Sequence, residues 1–245
     1  MKTVAIVQAR MGSTRLPGKS LMPVAGKPML AHVLERLGVS RRVDQIIVAT
    51  STAPRNAAIV QLAREMGIGA FAGSEEDVLD RYYQAANAAG ADIVIRITGD
   101  CPLIDPSVVD QAVALFQETS TDYLRTSEFP RGLDTEVFSL HNLERAWKET
   151  TRDYEREHVT PYFYRNPEKF NLKELVAAEP LRRPELRLCV DTEEDLALVR
   201  EIFARLYVPP GRIFTTVEVI AALDKEPRLK QINARVVQKT LPPEQ

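Results

Sequence analysis

The sequence predicts an α/β fold, a doubly wound, Rossmann-like domain built on a mostly parallel sheet. Three observations carry that expectation. Four apolar runs of strand length are joined by three helix-period segments before residue 100. The runs include VAIV, IIVA and IVIRI, with few polar interruptions, as strands read when helices cover both faces of a sheet. The chain's 245 residues, 44% of them hydrophobic, suit one domain with a sizeable core better than two independent ones.

In order along the chain, Thr3 to Ala9 is the first strand. A loop rich in glycine, proline and basic residues follows, and then a helix pattern from Lys27 to Gly38. Asp44 to Thr50 is the second strand, Arg55 to Met66 a helix, Ile68 to Ala72 a short strand, Glu75 to Ala89 a helix and Asp92 to Thr98 the fourth strand. Val78, Leu79, Tyr82, Tyr83 and Ala86 recur at three- and four-residue steps, as do Val109, Ala112, Val113 and Phe116, so both stretches are helices with a core face. Beyond Phe116 the alternation lapses. Asp122 to Arg125 and Leu133 to Ser139 read as strands around a turn at Pro130-Arg131-Gly132, and an aromatic stretch runs from Tyr154 to Tyr164. Residues 1–245 are expected to form a single domain with 120–180 as an irregular inserted lobe. Leu186 to Val190 returns as a strand, and Leu196, Val199, Phe203 and Leu206 give a last long helix its apolar stripe. Leu241 to Gln245 is expected to be a frayed end.

Composition excludes disordered, collagen-like and coiled-coil chains. No apolar run approaches the length of a membrane span, and the amino terminus lacks a secretory cleavage pattern, so no membrane partner and a cytoplasmic location are expected. Two cysteines, Cys101 and Cys189, are too few for a disulfide framework or an all-cysteine zinc site, and are read as small buried thiols. The net charge of -2 conceals an asymmetry. Lys2, Arg10, Arg15, Lys19 and Lys27 all precede the first acid, Glu35, so residues 1–34 carry +5 and the remainder -7. That pattern fits a polyphosphate cradle facing metal-binding carboxylates better than a nucleic-acid surface.

The cradle is the loop Gln8-Ala-Arg-Met-Gly-Ser-Thr-Arg-Leu-Pro-Gly-Lys19. It combines the cations Arg10, Arg15 and Lys19 with the glycines Gly12 and Gly18 and the hydroxyls of Ser13 and Thr14, at the end of the first strand, where open parallel sheets bind ligands. It is not a Walker A loop. Five residues instead of four separate the glycines, and Pro17 and Pro23 prevent a helix from running on from the lysine. A G-x-G-x-x-G fingerprint is absent, which disfavours a nicotinamide enzyme.

The pattern QARMGSTRLPGKSL followed by AGKPML resembles the sugar-acid cytidylyltransferases, the CMP-Kdo and CMP-sialic acid synthetases, most of all the branch typified by the spore-coat polysaccharide protein SpsF. The likeness runs from Thr3 to about Leu206 through GSEEDVLDRYY, RITGDCPLID, RGLDTEVF, EREHVTPYFY and CVDTEEDL. It implies the fold of nucleotide-diphospho-sugar transferases, CTP and a small sugar acid as substrates, a homodimer, and Mg²⁺ held by Asp100 and Asp191. Both acids follow apolar runs, and Mg²⁺ takes one or two carboxylates together with phosphate oxygens and water. Asp100 also suits a turn before Pro102. Thr192 and Asp195 form a capping box that explains those two residues but not Asp191.

The resemblance further places Ala9, Arg10, Gly12, Ser13, Arg15, Lys19, Ser51, Ser74, Asp77, Arg81 and Arg96 at the nucleotide, with Arg10, Lys19 and Asp100 catalytic. Capping by Ser74 with acids in the first turn accounts for much of the Gly73–Arg81 composition. Arg96 interrupts a buried strand and needs a partner, which a phosphate, a ribose hydroxyl or a carboxylate such as Asp77 would supply. The acceptor candidates are Arg125, Arg131, Asp134, Glu136, Glu157, His158 and Tyr162; of these Arg131, Asp134, Glu136, His158 and Tyr162 are taken as the substrate set. For His158, in its aromatic neighbourhood, a structural role is the commoner outcome, and the same aromatic run equally suits an interface. His32 and His141 are read as structural. The expected reaction is attack of a sugar hydroxyl on the α-phosphorus of CTP, with Lys19 and Arg10 on the leaving pyrophosphate. Rival readings are a nucleotidyltransferase using GTP or UTP, whose usual opening is richer in glycine, and a non-catalytic nucleotide-sugar binding protein. Transfer of an already activated sugar would need an Asp-x-Asp motif, and none occurs.

Overall fold

The computed structural model describes residues 1–208 and 211–238, so the expected frayed end at Leu241–Gln245 lies outside the described residues. Its frame is a seven-stranded sheet. Strands β1 (Thr3–Gln8), β4 (Gln45–Ser51), β5 (Gly69–Gly73) and β6 (Ile93–Thr98) are mutually parallel in the order β5-β4-β1-β6. Helices α1 (Met29–Leu37), α2 (Ala57–Glu65) and α4 (Pro106–Glu118) cover one face, and α3 (Val78–Ala88), α5 (Leu140–Glu149) and α7 (Pro161–Tyr164) the other. Successive strand residues point to opposite faces. Ala5, Val7, Ile93, Ile95 and Ile97 therefore join the first layer, and Val4, Ile6 and Val94 the second.

Residues 120–180 differ from the expected irregular lobe. They extend the same sheet with β7 (Tyr123–Ser127), β8 (Glu136–Ser139) and β9 (Leu172–Val176), in the order β6-β8-β7-β9. β8 runs antiparallel to both neighbours, whereas β9 is parallel to β7. The sequence pointed to β7 and β8 but not to β9, whose LKELV pattern is short, polar and partly exposed at the sheet edge. The short helix α6 (Asp153–His158) and α7 form the aromatic stretch.

Two other expectations shift. Lys27–Pro28 is not helical but strand β3, paired antiparallel with β2 (Pro23–Val24), so α1 starts at Met29. Leu186–Val190 is largely buried but forms no strand; a single bridge joins Arg187 to Arg131. Its backbone bonds go elsewhere: Leu188 donates to the Arg131 carbonyl at 2.7 Å, Arg131 to the Leu186 carbonyl at 2.9 Å, and Val190 to the Asp100 carbonyl at 2.8 Å. Helix α8 (Glu193–Leu206) carries the predicted Thr192–Asp195 capping box. A second box, Thr215 with Glu218, starts α9 (Thr216–Lys225), and the two helices close a third apolar cluster over Leu16, Met29 and Leu103.

Candidate active site

The basic loop leaves β1 at the carboxyl edge of the sheet, as expected. Its course is fixed by backbone bonds: Ala9 donates to the Ala49 carbonyl at 3.1 Å, and Gly18 to the Met11 carbonyl at 3.0 Å. The Met11 amide is received by the Asn56 side chain at 2.8 Å, and Asn56 in turn donates to Ser51 Oγ at 2.6 Å. Gly18 has φ 75°, a left-handed conformation that favours glycine, and it turns the chain into the short 3₁₀ segment Lys19–Leu21. On the neighbouring strand Gly99 donates to the Gln8 carbonyl at 2.7 Å. A Cβ at Gly99 would come within 2.9 Å of that oxygen, so only glycine lets the Asp100 turn press against the start of the cradle.

These constraints bring three residues distant in sequence to one point. The ammonium of Lys19 lies 2.8 Å from Asp100 Oδ2, 2.8 Å from Asp191 Oδ1 and 2.7 Å from the Val190 carbonyl. Arg15 reaches Asp191 Oδ2 at 2.9 Å, and Arg187, which the sequence reading missed, reaches the same oxygen at 2.7 Å. Arg187 also donates to Asp195, whose carboxylate is fully buried and receives the backbone N–H of Asp191 at 2.9 Å as well as the Asn233 amide. Arg187 stands four residues before Asp191, but nothing in its own spacing marked it, because its partners are supplied by the capping turn of α8. Burial alone would raise the Asp191 carboxyl; Lys19, with Arg187 and Arg15, holds it down at about 2. Asp100 is lowered for the same reason, Lys19 outweighing burial, and the Lys19 ammonium is raised in return against its own desolvation. Both cysteines are buried beside these acids, and burial pushes both thiols up, so they are protonated at neutral pH.

A second group lies on the α3 face. Arg81 is fully buried; one Nη donates to the Ser74 carbonyl, whereas Nε and the other Nη have no protein partner. Gln8 Oε1 and Arg96 Nε are likewise buried without a partner. Burial lowers the Arg81 and His158 pKa values, and the positive charge of Arg10 lowers both further, so Arg10 lies near each of them. Ser74 accepts from the Asp77 amide at 3.0 Å, but Asp77 itself, not Ser74, is the N-cap of α3, accepting from Asp80 at 2.9 Å. Ser51 completes the edge through Asn56 and Glu75.

The remaining candidates have the following partners. Arg96 finds the carboxylate partner it was expected to need, in Glu136 rather than Asp77: Glu136, opposite it in the β6–β8 register, takes its guanidinium, and the Tyr123 hydroxyl donates to the same carboxylate. Asp77 pairs with Arg156 at 2.6 Å. Arg125 pairs with Glu174, one strand further out. Tyr162 is buried in the α5–α7 layer, with its hydroxyl donating to Glu149 and accepting from Lys169, so its polar end is committed to those two residues. Asp134 is held in the β7–β8 turn, where it accepts the Gly132 amide at 2.9 Å. A Cβ on Gly132, which has φ 102°, would come within 2.7 Å of the Cys189 amide, so this turn packs directly on the segment leading to Asp191. Arg131 is exposed in the same turn. His158 ends α6 and precedes Val159, a buried β-branched residue at φ 71°, ψ -56°, with Thr160 N–H donating to the His158 carbonyl at 2.9 Å. This is a strained γ-turn, and it fixes where the His158 backbone stands. His32 is structural as expected, buried with Nε2 2.7 Å from the Val24 carbonyl.

A carboxylate pair met by three cations at the mouth of a glycine-bearing basic loop is suited to binding a polyphosphate and its counter-ion. A family model described as cytidylyltransferase matches residues 4–240. The chain belongs to the cytidylyltransferase family. It is accordingly a CTP-dependent nucleotidyltransferase. Among curated relatives it is 41% identical over 240 residues to an uncharacterized protein of Methanocaldococcus jannaschii, covering 98% of each chain. It is 32% identical to the spore coat polysaccharide biosynthesis protein SpsF of Bacillus subtilis, covering 91% of this chain and 94% of that one. Over a shorter stretch, 58% of this chain and 54% of the relative, it is 35% identical to the 3-deoxy-manno-octulosonate cytidylyltransferase of Geobacter sulfurreducens. Among solved structures, a cytidylyltransferase from Leptospira borgpetersenii superposes with a TM-score of 0.88 at 35% identity, covering 94% of this chain and 97% of that one. In this cytidylyltransferase the three strands of residues 120–180 are thus part of the main sheet.

Proposed function

We propose that this cytidylyltransferase transfers CMP from CTP to a sugar acid of the Kdo or nonulosonate type, releasing pyrophosphate, in surface or spore-coat polysaccharide synthesis. The observation that carries the reading is the convergence of Lys19, Asp100 and Asp191 at the mouth of the cradle. The name of the Geobacter relative supports the acceptor class, and that of the Bacillus relative supports the polysaccharide pathway.

In this reading Arg10, Arg15 and Lys19 bind the triphosphate, and the unpartnered N–H groups of Arg81 and the side-chain carbonyl of Gln8, with Ser51 and Ser74, line the place of the nucleoside. Arg10 and Lys19 neutralise the charge that builds on the leaving pyrophosphate, and the fixed loop holds the α-phosphorus in line with the attacking hydroxyl. Asp100 and Asp191 fit Mg²⁺: they are hard oxygen donors converging on one point, and no cluster of three His, Cys, Asp or Glu exists among the described residues to favour a softer or fully protein-caged metal. When bound, the ion neutralises phosphate charge. In this reading the acceptor is received by the β7–β8 turn with Arg131 and Asp134, and Glu136, His158 and Tyr162 are the further candidates. Arg131 and Arg10 pair with no carboxylate among the described residues, which leaves them for acidic groups of the substrates.

The homodimer implied by the resemblance and a cytoplasmic site of action belong to the same proposal; no helix among the described residues is long and apolar enough to cross a membrane. Light scattering giving twice 27.5 kDa checks the dimer. The deciding experiment is pyrophosphate release from CTP, ATP, GTP and UTP with Mg²⁺ against a panel of sugar acids. Release with CTP and one acceptor class is expected. No release with any pair would overturn the proposal and favour a nucleotide-sugar binding role.

A further inference from the structure

The Lys19 ammonium does not stand at the outer end of the cradle, where phosphate alone would need it. It occupies the point at which both metal-type carboxylates converge, and it is three-coordinate there: Asp100 Oδ2 and Asp191 Oδ1 each at 2.8 Å, Val190 O at 2.7 Å. The remaining oxygen of Asp191 is taken by Arg15 and Arg187 at 2.9 and 2.7 Å. Counted with Asp195, which Arg187 also holds, the cluster contains three cations and three carboxylates. It is electrically balanced by its own side chains.

A divalent cation cannot share that point with an ammonium. A Mg²⁺ ion bonds carboxylate oxygens at about 2.0–2.1 Å, and a like charge at hydrogen-bond distance from the same oxygens would oppose it. Arg187 is anchored by the buried Asp195, whereas Lys19 ends in a flexible four-carbon stem, so Lys19 is the cation that can leave. Withdrawing it exposes two carboxylates and frees a cation, and a polyphosphate chelating a metal would answer both needs at once.

We propose that Lys19 is the resident counter-ion of the Asp100–Asp191 pair, and that metal and nucleotide therefore bind as a coupled pair, Lys19 exchanging the carboxylates for phosphate as the ion enters. This rests on the nucleotidyl-transfer reading above. Because binding linkage is reciprocal, nucleotide raises metal affinity by the factor by which metal raises nucleotide affinity, typically about 5–150-fold in coupled sites.

The test uses Mn²⁺ alone, followed by electron paramagnetic resonance and equilibrium dialysis on the full chain. The wild type is expected to bind Mn²⁺ weakly without nucleotide, and Lys19→Met at least about tenfold more tightly, which is about 1.4 kcal/mol. Arg15→Met removes a cation from the same Asp191 but not from the convergence point, and is expected to tighten Mn²⁺ by less than about threefold. Asp100→Asn in the Lys19→Met background should abolish the gain. Circular dichroism checks folding, with Lys19→Gln as a second variant. Equal Mn²⁺ affinity of wild type and both Lys19 variants, or an equal gain in Arg15→Met, would overturn the counter-ion role. Pyrophosphate release from CTP is followed on the same preparations: its absence with every acceptor would defeat the transfer reading, and the metal-only comparison would still decide the role of Lys19.

Discussion

Substituting Glu136 by Gln should destabilise the protein far more than it disturbs CTP binding. The Arg96 and Glu136 side chains are only 18% and 14% exposed, and Glu136 also accepts the Tyr123 hydroxyl. Burial would lower the Arg96 pKa, but Glu136 outweighs it and the guanidinium ends above its ordinary value. An amide in place of the carboxylate would keep the shape and remove the charge, leaving a buried cation unpaired, with Nε already without a partner. Removing one partner of a buried ion pair costs about 3–5 kcal/mol. At about 2–4 °C per kcal/mol for a chain of this size, the melting temperature should fall by roughly 6–20 °C. Replacing both residues by apolar ones of similar volume, Arg96→Met with Glu136→Leu, should recover most of the loss, because the uncompensated charge is then gone. Urea unfolding of the wild type, Arg96→Met, Glu136→Leu and the double variant gives the cycle. A cost below about 1 kcal/mol for Glu136→Gln, or a double variant as unstable as the sum of the singles, would refute the argument that this pair is a structural unit.

Three further outcomes are expected. Asp100→Asn should lower kcat for pyrophosphate release by about 10²–10³ with the fold retained by circular dichroism; near-normal turnover would remove Asp100 from the site. Asp105 caps α4 through the Ser107 amide at 2.9 Å and also accepts the Thr216 amide of α9 at 2.8 Å, so Asp105→Ala should cost about 2–4 kcal/mol in urea unfolding. Burial would raise the Asp105 carboxyl, yet these bonds bring it below its ordinary value, so its stabilisation is full above the unfolded-state pKa, about 3.9, and is lost as pH falls through the folded pKa; a wild-type-minus-variant difference that grew toward low pH would contradict this. Tyr162→Phe, whose hydroxyl serves Glu149 and Lys169, should leave the acceptor KM within about twofold, and a tenfold rise would return Tyr162 to the substrate.

The parallel half of the sheet was legible because each strand and helix carries its own periodicity. So was the cradle, whose cations and glycines are contiguous. What escaped were features made by tertiary pairing. β9 is an edge strand with exposed polar positions, and Leu186–Val190 has a strand's composition but spends its backbone bonds on two different turns. Arg96 was rightly marked as a charge needing a partner, but its choice of Glu136 depends on a strand register that no local pattern encodes. Arg187 was invisible for the same reason, since a lone arginine on an apolar segment gains meaning only from the buried capping carboxylate beside it.

The reversed strand β8 has a consequence for how the ligand edge is held together. Because β8 alone runs against its neighbours, the β7–β8 connection begins and ends at the ligand edge, with Glu128 already at φ 61° and Asp134 closing the turn. Its middle is held there: Arg131 exchanges backbone bonds with Leu186 and Leu188, and Gly132 packs against the Cys189 amide. The cradle is tied down in the same way, Ala9 donating to the Ala49 carbonyl and Gly99 to the Gln8 carbonyl. Lengthening or remodelling this hairpin would therefore be felt at Asp191, two residues beyond Cys189, and one half of the ligand edge cannot be rebuilt while the other stays as it is.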